Sequence, residues 1–211
     1  MKPPVTAQRK IAARPSAHPP TRRALPALLA LTFALLTAPA SALDFRDIVG
    51  HDQRPLEKSS ARADVIIFIL HDCPIANAFA PEINRLVAEF QARDIRFFLV
   101  HTDPDLSVTA AQQHAKDFGY RCPVLLDPEH RLVARLKATV TPEAFVVTPA
   151  GTTAYRGRLD DRFVELGKRR PEPTRRDLRL ALESILAGQP VAEPVTKAVG
   201  CFISPKKRST P

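Results

Sequence analysis

The chain has 211 residues, 45% hydrophobic and 25% charged, with 31 Lys and Arg against 22 Asp and Glu for a net charge of +9. Six of the basic residues and no acidic one fall in the first 42 positions, so the remainder carries only +3. That balance removes the ground for a nucleic-acid partner. What remains from Leu43 to Pro211 suffices for one domain with a full core and is too short for two.

The opening segment has the layout of an export signal: basic residues up to Arg23, an apolar core from Ala24 to Leu36, and Ala40-Ser41-Ala42 as a small-residue cleavage site, with cleavage after Ala42. Its apolar core is short for a bilayer span, and no later stretch is long enough to try. Arg22-Arg23 leaves twin-arginine export open beside the ordinary secretory route. The predicted organisation is a signal peptide over 1–42, a domain over 43–188 and a C-terminal tail over 189–211. A periplasmic or secreted protein with no membrane span after signal cleavage is expected.

Leu43 to Gly50 reads as a short strand leading into a turn, followed by a polar segment to Arg62. Val65 to Leu70 is a continuous apolar run of β-branched and aromatic residues, which suits a strand covered on both faces. Beyond Cys73 the spacing turns helical, with Ile83, Leu86, Val87 and Phe90 on one stripe and Pro81 set to kink the helix. Ile95 to His101 predicts a second strand, Val108 to Phe118 a helix ending at Gly119, Val124 to Leu126 a brief strand and Arg131 to Leu136 a helical turn. Ala144 to Thr148 and Thr153 to Arg158, separated by Pro149-Ala150-Gly151, predict a hairpin. The last helix is expected from Thr174, capped by its hydroxyl, to Gly188, with Leu178, Leu182, Ile185 and Leu186 buried. The charged stretches Asp160-Asp161-Arg162 and Gly167-Lys-Arg-Arg170 after the hairpin read as solvated loop, with a partner-docking loop as the alternative. Beyond Gly188 the chain is proline-rich and poorly periodic, with a basic end at Lys206-Lys-Arg208.

Three cysteines, Cys73, Cys122 and Cys201, lie beyond the leader, and an odd count leaves at least one free or paired with another molecule. Cys73 sits where the apolar strand meets the helix opened by Pro74. Unpaired amides and the positive end of the helix favour a thiolate there, making the sulfur nucleophilic. The bland reading is an inert core thiol.

Four features together resemble the thioredoxin-like superfamily, in its redoxin branch of AhpC/TSA-type, peroxiredoxin-related proteins. They are Cys73-Pro74-Ile75-Ala76 between strand and helix, Pro81 eight residues after the cysteine, Thr141-Pro142 just before a strand, and the terminal hairpin and helix. The resemblance implies a three-layer α/β/α sandwich around a mixed central sheet, with Ile95 to Phe118 as a redoxin-type insertion. It implies that Cys73, Thr141 and Pro142 form the catalytic site, Pro142 in a cis turn that holds the preceding backbone against the sulfur. No cofactor and no metal are implied.

The departures from that family bear on mechanism. Ala76 stands where thioredoxins carry their second cysteine, so this is a single-cysteine variant and another thiol must finish the cycle. Cys201, in the apolar island Val199-Gly-Cys-Phe-Ile203, is one candidate resolving residue and Cys122 another; either is otherwise a packed or free thiol. Ile66 and Leu70 occupy the places of the proline and hydroxyl residue with which peroxiredoxins orient a peroxide, and Ile67 replaces the buried acid of thioredoxins. His71 or Glu143 is the substitute proton acceptor, and Asn77 either bonds near the sulfur or faces solvent. The expected function is an exported thiol-dependent oxidoreductase, acting by thiol–disulfide exchange or peroxide reduction. Its partners would be a thiol- or disulfide-bearing protein, or a small peroxide or disulfide, with an external thiol reductant. The alternative is a non-catalytic binding module for a partner protein or copper, with His71, His101, His114 and His130 as candidate ligands.

Overall fold

The computed structural model describes residues 43–204. The expected export signal over 1–42 and the basic end at Lys206-Lys-Arg208 lie outside the described residues.

The elements run in chain order as β1 (Phe45–Arg46), β2 (Asp52–Gln53), β3 (Ala63–Ile69), α1 (Pro74–Ala78), α2 (Ala80–Phe90), β4 (Ile95–His101), α3 (Val108–Asp117), β5 (Val124–Leu126) and α4 (Arg131–Leu136). They continue with β6 (Val140–Thr141), β7 (Glu143–Val147), β8 (Thr153–Gly157), β9 (Phe163–Glu165), β10 (Lys168–Arg169), α5 (Asp177–Leu186) and β11 (Cys201–Phe202). A five-stranded mixed sheet in the order β5-β4-β3-β7-β8 forms the centre, with β3 parallel to β4 and antiparallel to β7. One face packs against α1, α2, α3 and α5 through Ile83, Leu86, Phe90, Leu178 and Leu182. The other packs against α4 and the β1 segment through Phe45, Phe98, Leu125 and Leu132. The three layers of the expected α/β sandwich are therefore present.

Strand β3 is buried at every position, as an apolar run covered on both faces requires. It begins two residues earlier than the apolar run, because Asp64 is carried inside the sheet by Arg96, its register partner on β4, which binds it twice at 2.6 Å. The helical segment after Cys73 divides rather than bends. It breaks at Phe79, and Pro81, which has no N–H to offer, falls in the first turn of α2 where none is needed. Strand β4 pairs with β3 over its whole length, so it belongs to the core sheet. Between β4 and Pro142 the chain forms α3, β5 and α4, with β5 pairing parallel to β4 at the edge of the same sheet.

Two expectations fail for a shared reason. Thr174 does not cap the last helix, which starts at Asp177; its amide and hydroxyl, with the Arg175 amide, are bound instead by Asp161. Asp160 and Asp161, expected in a solvated loop, are 1% and 5% exposed, and Arg170 adds a further bond to Asp161. This carboxylate knots the loop after β8 to the entrance of α5.

The segment beyond Gly188 returns over the sheet edge. Arg156 on β8 donates to Pro194 O at 2.8 Å, and Thr196 donates back to Arg156 O at 2.9 Å. The Thr196 hydroxyl accepts from Arg158 N at 3.1 Å and meets Tyr155 Oη at 2.7 Å. A Cβ on Gly157 would lie 2.1 Å from that hydroxyl, so only glycine admits Thr196 there. The strap then pairs β11 antiparallel to β6, with Cys201 opposite Thr141 and Phe202 opposite Val140, and Ile203 donates to Thr139 O at 3.0 Å.

Candidate active site

Three elements converge on Cys73. Leaving β3, the chain turns through His71 and Asp72 and enters α1 with Cys73 as its N-cap, and the sulfur accepts from Ala76 N at 3.4 Å. Pro74, with φ set for a helix and no N–H to satisfy, holds that entry. From the opposite side comes the turn between β6 and β7, where the Thr141–Pro142 bond is cis and the Cys73 thiol donates to Thr141 O at 3.3 Å. The strap supplies the third element: Cys201, paired opposite Thr141, lies with its sulfur 2.7 Å from the Cys73 sulfur, both thiols being free. Its carbonyl accepts from the Thr141 hydroxyl at 3.4 Å. The result is a closed site in which Cys73 is 1% exposed and Cys201 partly exposed.

The two sulfurs are electrostatically unequal. Burial pushes the Cys73 thiol up, but hydrogen bonds from the Cys201 thiol, the Ala76 amide and the Cys201 amide outweigh it and hold Cys73 below an ordinary thiol. Cys201 is pushed up to about 12 by burial, by donating to Cys73 and by the Cys73 charge. In a shared-proton pair of this kind the thiolate belongs on Cys73 and the proton on Cys201.

The other predicted residues lie apart from this pair. Cys122 packs at the start of β5 and is pushed up to about 12 by burial. The Glu143 carboxylate binds Thr139 N at 2.8 Å and Arg156 Nε at 2.7 Å, and His71 faces Asp103 at 3.4 Å. Asn77 is turned away from the sulfur, its amide nitrogen on His71 O and its oxygen on His114 Nε2, each at 2.9 Å. It thus ties α1 to the loop that presents Cys73. His130 binds Thr102 O at 2.8 Å, while His101 is fully buried beside His114, their rings 5.0 Å apart. Burial, with His114 and His71 nearby, holds His101 down to about 3. Among the described residues no cluster of three or more His, Cys, Asp or Glu is arranged to hold a metal ion, and no helix is long and apolar enough to cross a membrane.

Sequence reasoning missed Gly200. Its ideal Cβ would lie 1.9 Å from Thr141 O, so the strap approaches the cis turn as closely as it does only because the residue before Cys201 has no side chain. The Gly200-Cys201 pair inside an apolar island was the available signal.

The model of the AhpC/TSA family matches residues 37–156, a span that includes Cys73, the cis turn and the first strand of the terminal hairpin. The chain belongs to the AhpC/TSA family. This bears out the expected redoxin resemblance and, in general terms, a thiol-oxidoreductase kind of function. Comparison with curated proteins gave no match. Among solved structures, this family member is similar to an uncharacterized conserved protein from Geobacillus kaustophilus, at 26% identity and TM-score 0.66 over 78% of this chain and 89% of that one. It is also similar to a hypothetical protein from Sinorhizobium meliloti 1021, at 22% identity and TM-score 0.69 over 81% and 93% of the two chains. DsbF from MTB, described in mixed oxidized and reduced forms, aligns at 18% identity and TM-score 0.51 over 68% and 95%. These likenesses show the thioredoxin-like fold.

Proposed function

We propose that the chain is an exported thiol–disulfide oxidoreductase in which Cys73 is the nucleophile and Cys201 the resolving thiol. The observation that carries this reading is the unequal sulfur pair at 2.7 Å, with the stabilised thiolate on the helix side and the proton on the strap side. Export is supported by the signal layout of residues 1–42. On the same reading, residues 43–188 form the catalytic domain and the tail is a working part of the site.

The Cys73 thiolate attacks one sulfur of a substrate disulfide, forming a mixed disulfide and releasing the other sulfur as a thiolate that takes a proton from solvent. Cys201 then attacks Cys73 Sγ, its proton passing to the second departing substrate sulfur. One substrate disulfide becomes two thiols, while the two protein thiols become one disulfide, and an external dithiol reverses the change. Thr141 O and Pro142 shape the cleft, and the Ala76 amide stabilises the Cys73 charge. A disulfide substrate is favoured over a peroxide because Ile66 on β3 and Leu70 just beyond its end offer no hydroxyl to orient one.

The test is to oxidise the chain from Leu43 to Pro211 with one equivalent of a small disulfide and map all three cysteines by mass spectrometry. The expected product has lost two hydrogens, contains a Cys73–Cys201 link, leaves Cys122 free and does not form in Cys73→Ser. A link to Cys122, or an unreactive Cys73, refutes the assignment.

A further inference from the structure

Cys73 is 1% exposed in the dithiol form, and what covers it is the chain's own strap. A substrate disulfide therefore cannot reach the sulfur that is to attack it until β11 leaves β6. The strap is itself an extended polypeptide carrying a cysteine, and it is held at β6 largely by main-chain pairing: Cys201 opposite Thr141, Phe202 opposite Val140, and Ile203 N on Thr139 O at 3.0 Å. Main-chain pairing is indifferent to which chain supplies it. Side-chain selectivity enters at one position, the residue before the cysteine, where any Cβ would strike the Thr141 carbonyl at 1.9 Å.

From this we infer that the strap is an internal stand-in for the substrate, and that the substrate is an extended polypeptide whose reactive cysteine follows a glycine. This rests on the proposed exchange reaction and names its substrate class. The incoming segment replaces the strap on β6, its cysteine opposite Thr141 and its glycine beneath the Thr141 carbonyl. Beside this edge lies an open cavity of about 650 Å³, walled outside β11 by Val164, Leu166 and Val195, which are exposed apolar side chains. A peptide continuing past its cysteine has apolar surface to lie on there. The sulfur chemistry is that of the exchange already described, with one addition. When Cys201 returns to attack Cys73 Sγ and expel the substrate sulfur, the strap takes back the same hydrogen bonds, so bond exchange and product ejection are one movement.

The experiment uses the chain from Leu43 to Pro211 carrying Cys201→Ser, which retains the strap but stops resolution. It is mixed with short peptides whose single cysteine is disulfide-linked to thionitrobenzoate, preceded by Gly, Ala or Val, and with cystamine as a disulfide lacking a peptide. Release of thionitrobenzoate, or for cystamine the mixed-disulfide mass, gives the rate at Cys73. The Gly-Cys peptide is expected to react about tenfold or more faster than the Val-Cys peptide, as the crowding of one extra side chain implies. Adding Gly200→Ala, which dislodges the strap without touching either sulfur, is expected to raise the cystamine rate about tenfold. Equal peptide rates, or a cystamine rate indifferent to Gly200→Ala, overturn the inference and leave the exchange reaction standing. Failure of Cys73 to react with any of these disulfides overturns both.

Discussion

Replacing Thr196 by valine removes one hydroxyl and little volume, at a position far from Cys73 in sequence and five residues before Cys201, outside β11. The hydroxyl accepts from Arg158 N at 3.1 Å and meets Tyr155 Oη at 2.7 Å. Tyr155 keeps its bond to Arg158 O at 2.6 Å, so the substitution orphans a single amide. An unsatisfied donor of this kind costs about 1–3 kcal/mol. The loss falls on strap docking, since Pro194 to Thr196 is where the strap is pinned to β8. Alkylation of a sealed sulfur proceeds through the open form, so its rate scales with the opening equilibrium. Weakening of about 2 kcal/mol therefore raises the Cys73 rate about 25-fold, since each 1.4 kcal/mol is a factor of ten. The assay is the rate of iodoacetamide addition to Cys73 in a Cys201→Ser background, read by peptide mass, with thermal melts of both chains as control. A rate unchanged within about twofold would show that Cys73 is reached by a route other than strap opening, and the gating argument would fail.

Further outcomes are expected. Cys201→Ala removes the thiol donor to Cys73, so the pH at which Cys73 alkylation reaches half its maximal rate moves upward; an unmoved profile would show that Cys201 does not stabilise the thiolate. Cys122, pushed up to about 12 by burial, stays unmodified under mild alkylation, and Cys122→Ser leaves the rate and product of Cys73 oxidation unchanged. The Asp161 carboxyl is raised by burial, but bonds from the Thr174 hydroxyl and the Arg175 and Thr174 amides outweigh this and hold it from an ordinary 3.8 down to about 2. A depressed carboxylate stabilises the fold above its unfolded value and loses that contribution as pH falls through its folded one. Asp161→Asn is therefore expected to lower stability by about 2 kcal/mol at neutral pH, the gap to wild type narrowing as pH falls from 3.8 to about 2 in denaturant melts. A gap constant across that range would mean the charge contributes nothing.

Legibility followed the range of the interaction that decided each feature. Ile83, Leu86, Val87 and Phe90 announced α2 because a helix repeats its buried face every few residues, and all four are buried. Val65 to Leu70 announced the central strand, which ends one residue earlier at Ile69, because covering both faces leaves no polar position to interrupt the run. Asp64 misled only because its partner Arg96 is on another strand. Thr174 misled because a cap motif is local, whereas the acceptor that captured its hydroxyl lies earlier in the chain, at Asp161. At the site, Cys73 and the Thr141-Pro142 turn were marked by neighbouring residues, and Cys201 by an apolar island out of keeping with its surroundings. The separation of the sulfurs had no local signal. It depends on Gly157 admitting Thr196 and Gly200 admitting the Thr141 carbonyl, two close approaches between segments far apart in sequence.

The 2.7 Å gap between the sulfurs also bears on survival under oxidative stress. A cysteine oxidised once, to the sulfenic acid, can still be recovered; one oxidised again, to the sulfinic acid, is in general lost. Which fate prevails is a race between condensation with a thiol and arrival of a second oxidant molecule. With its neighbour already at contact and almost no surface open to the bulk, a sulfenic acid at Cys73 would condense first, so damage would need oxidant in large excess or a tail held off the sheet.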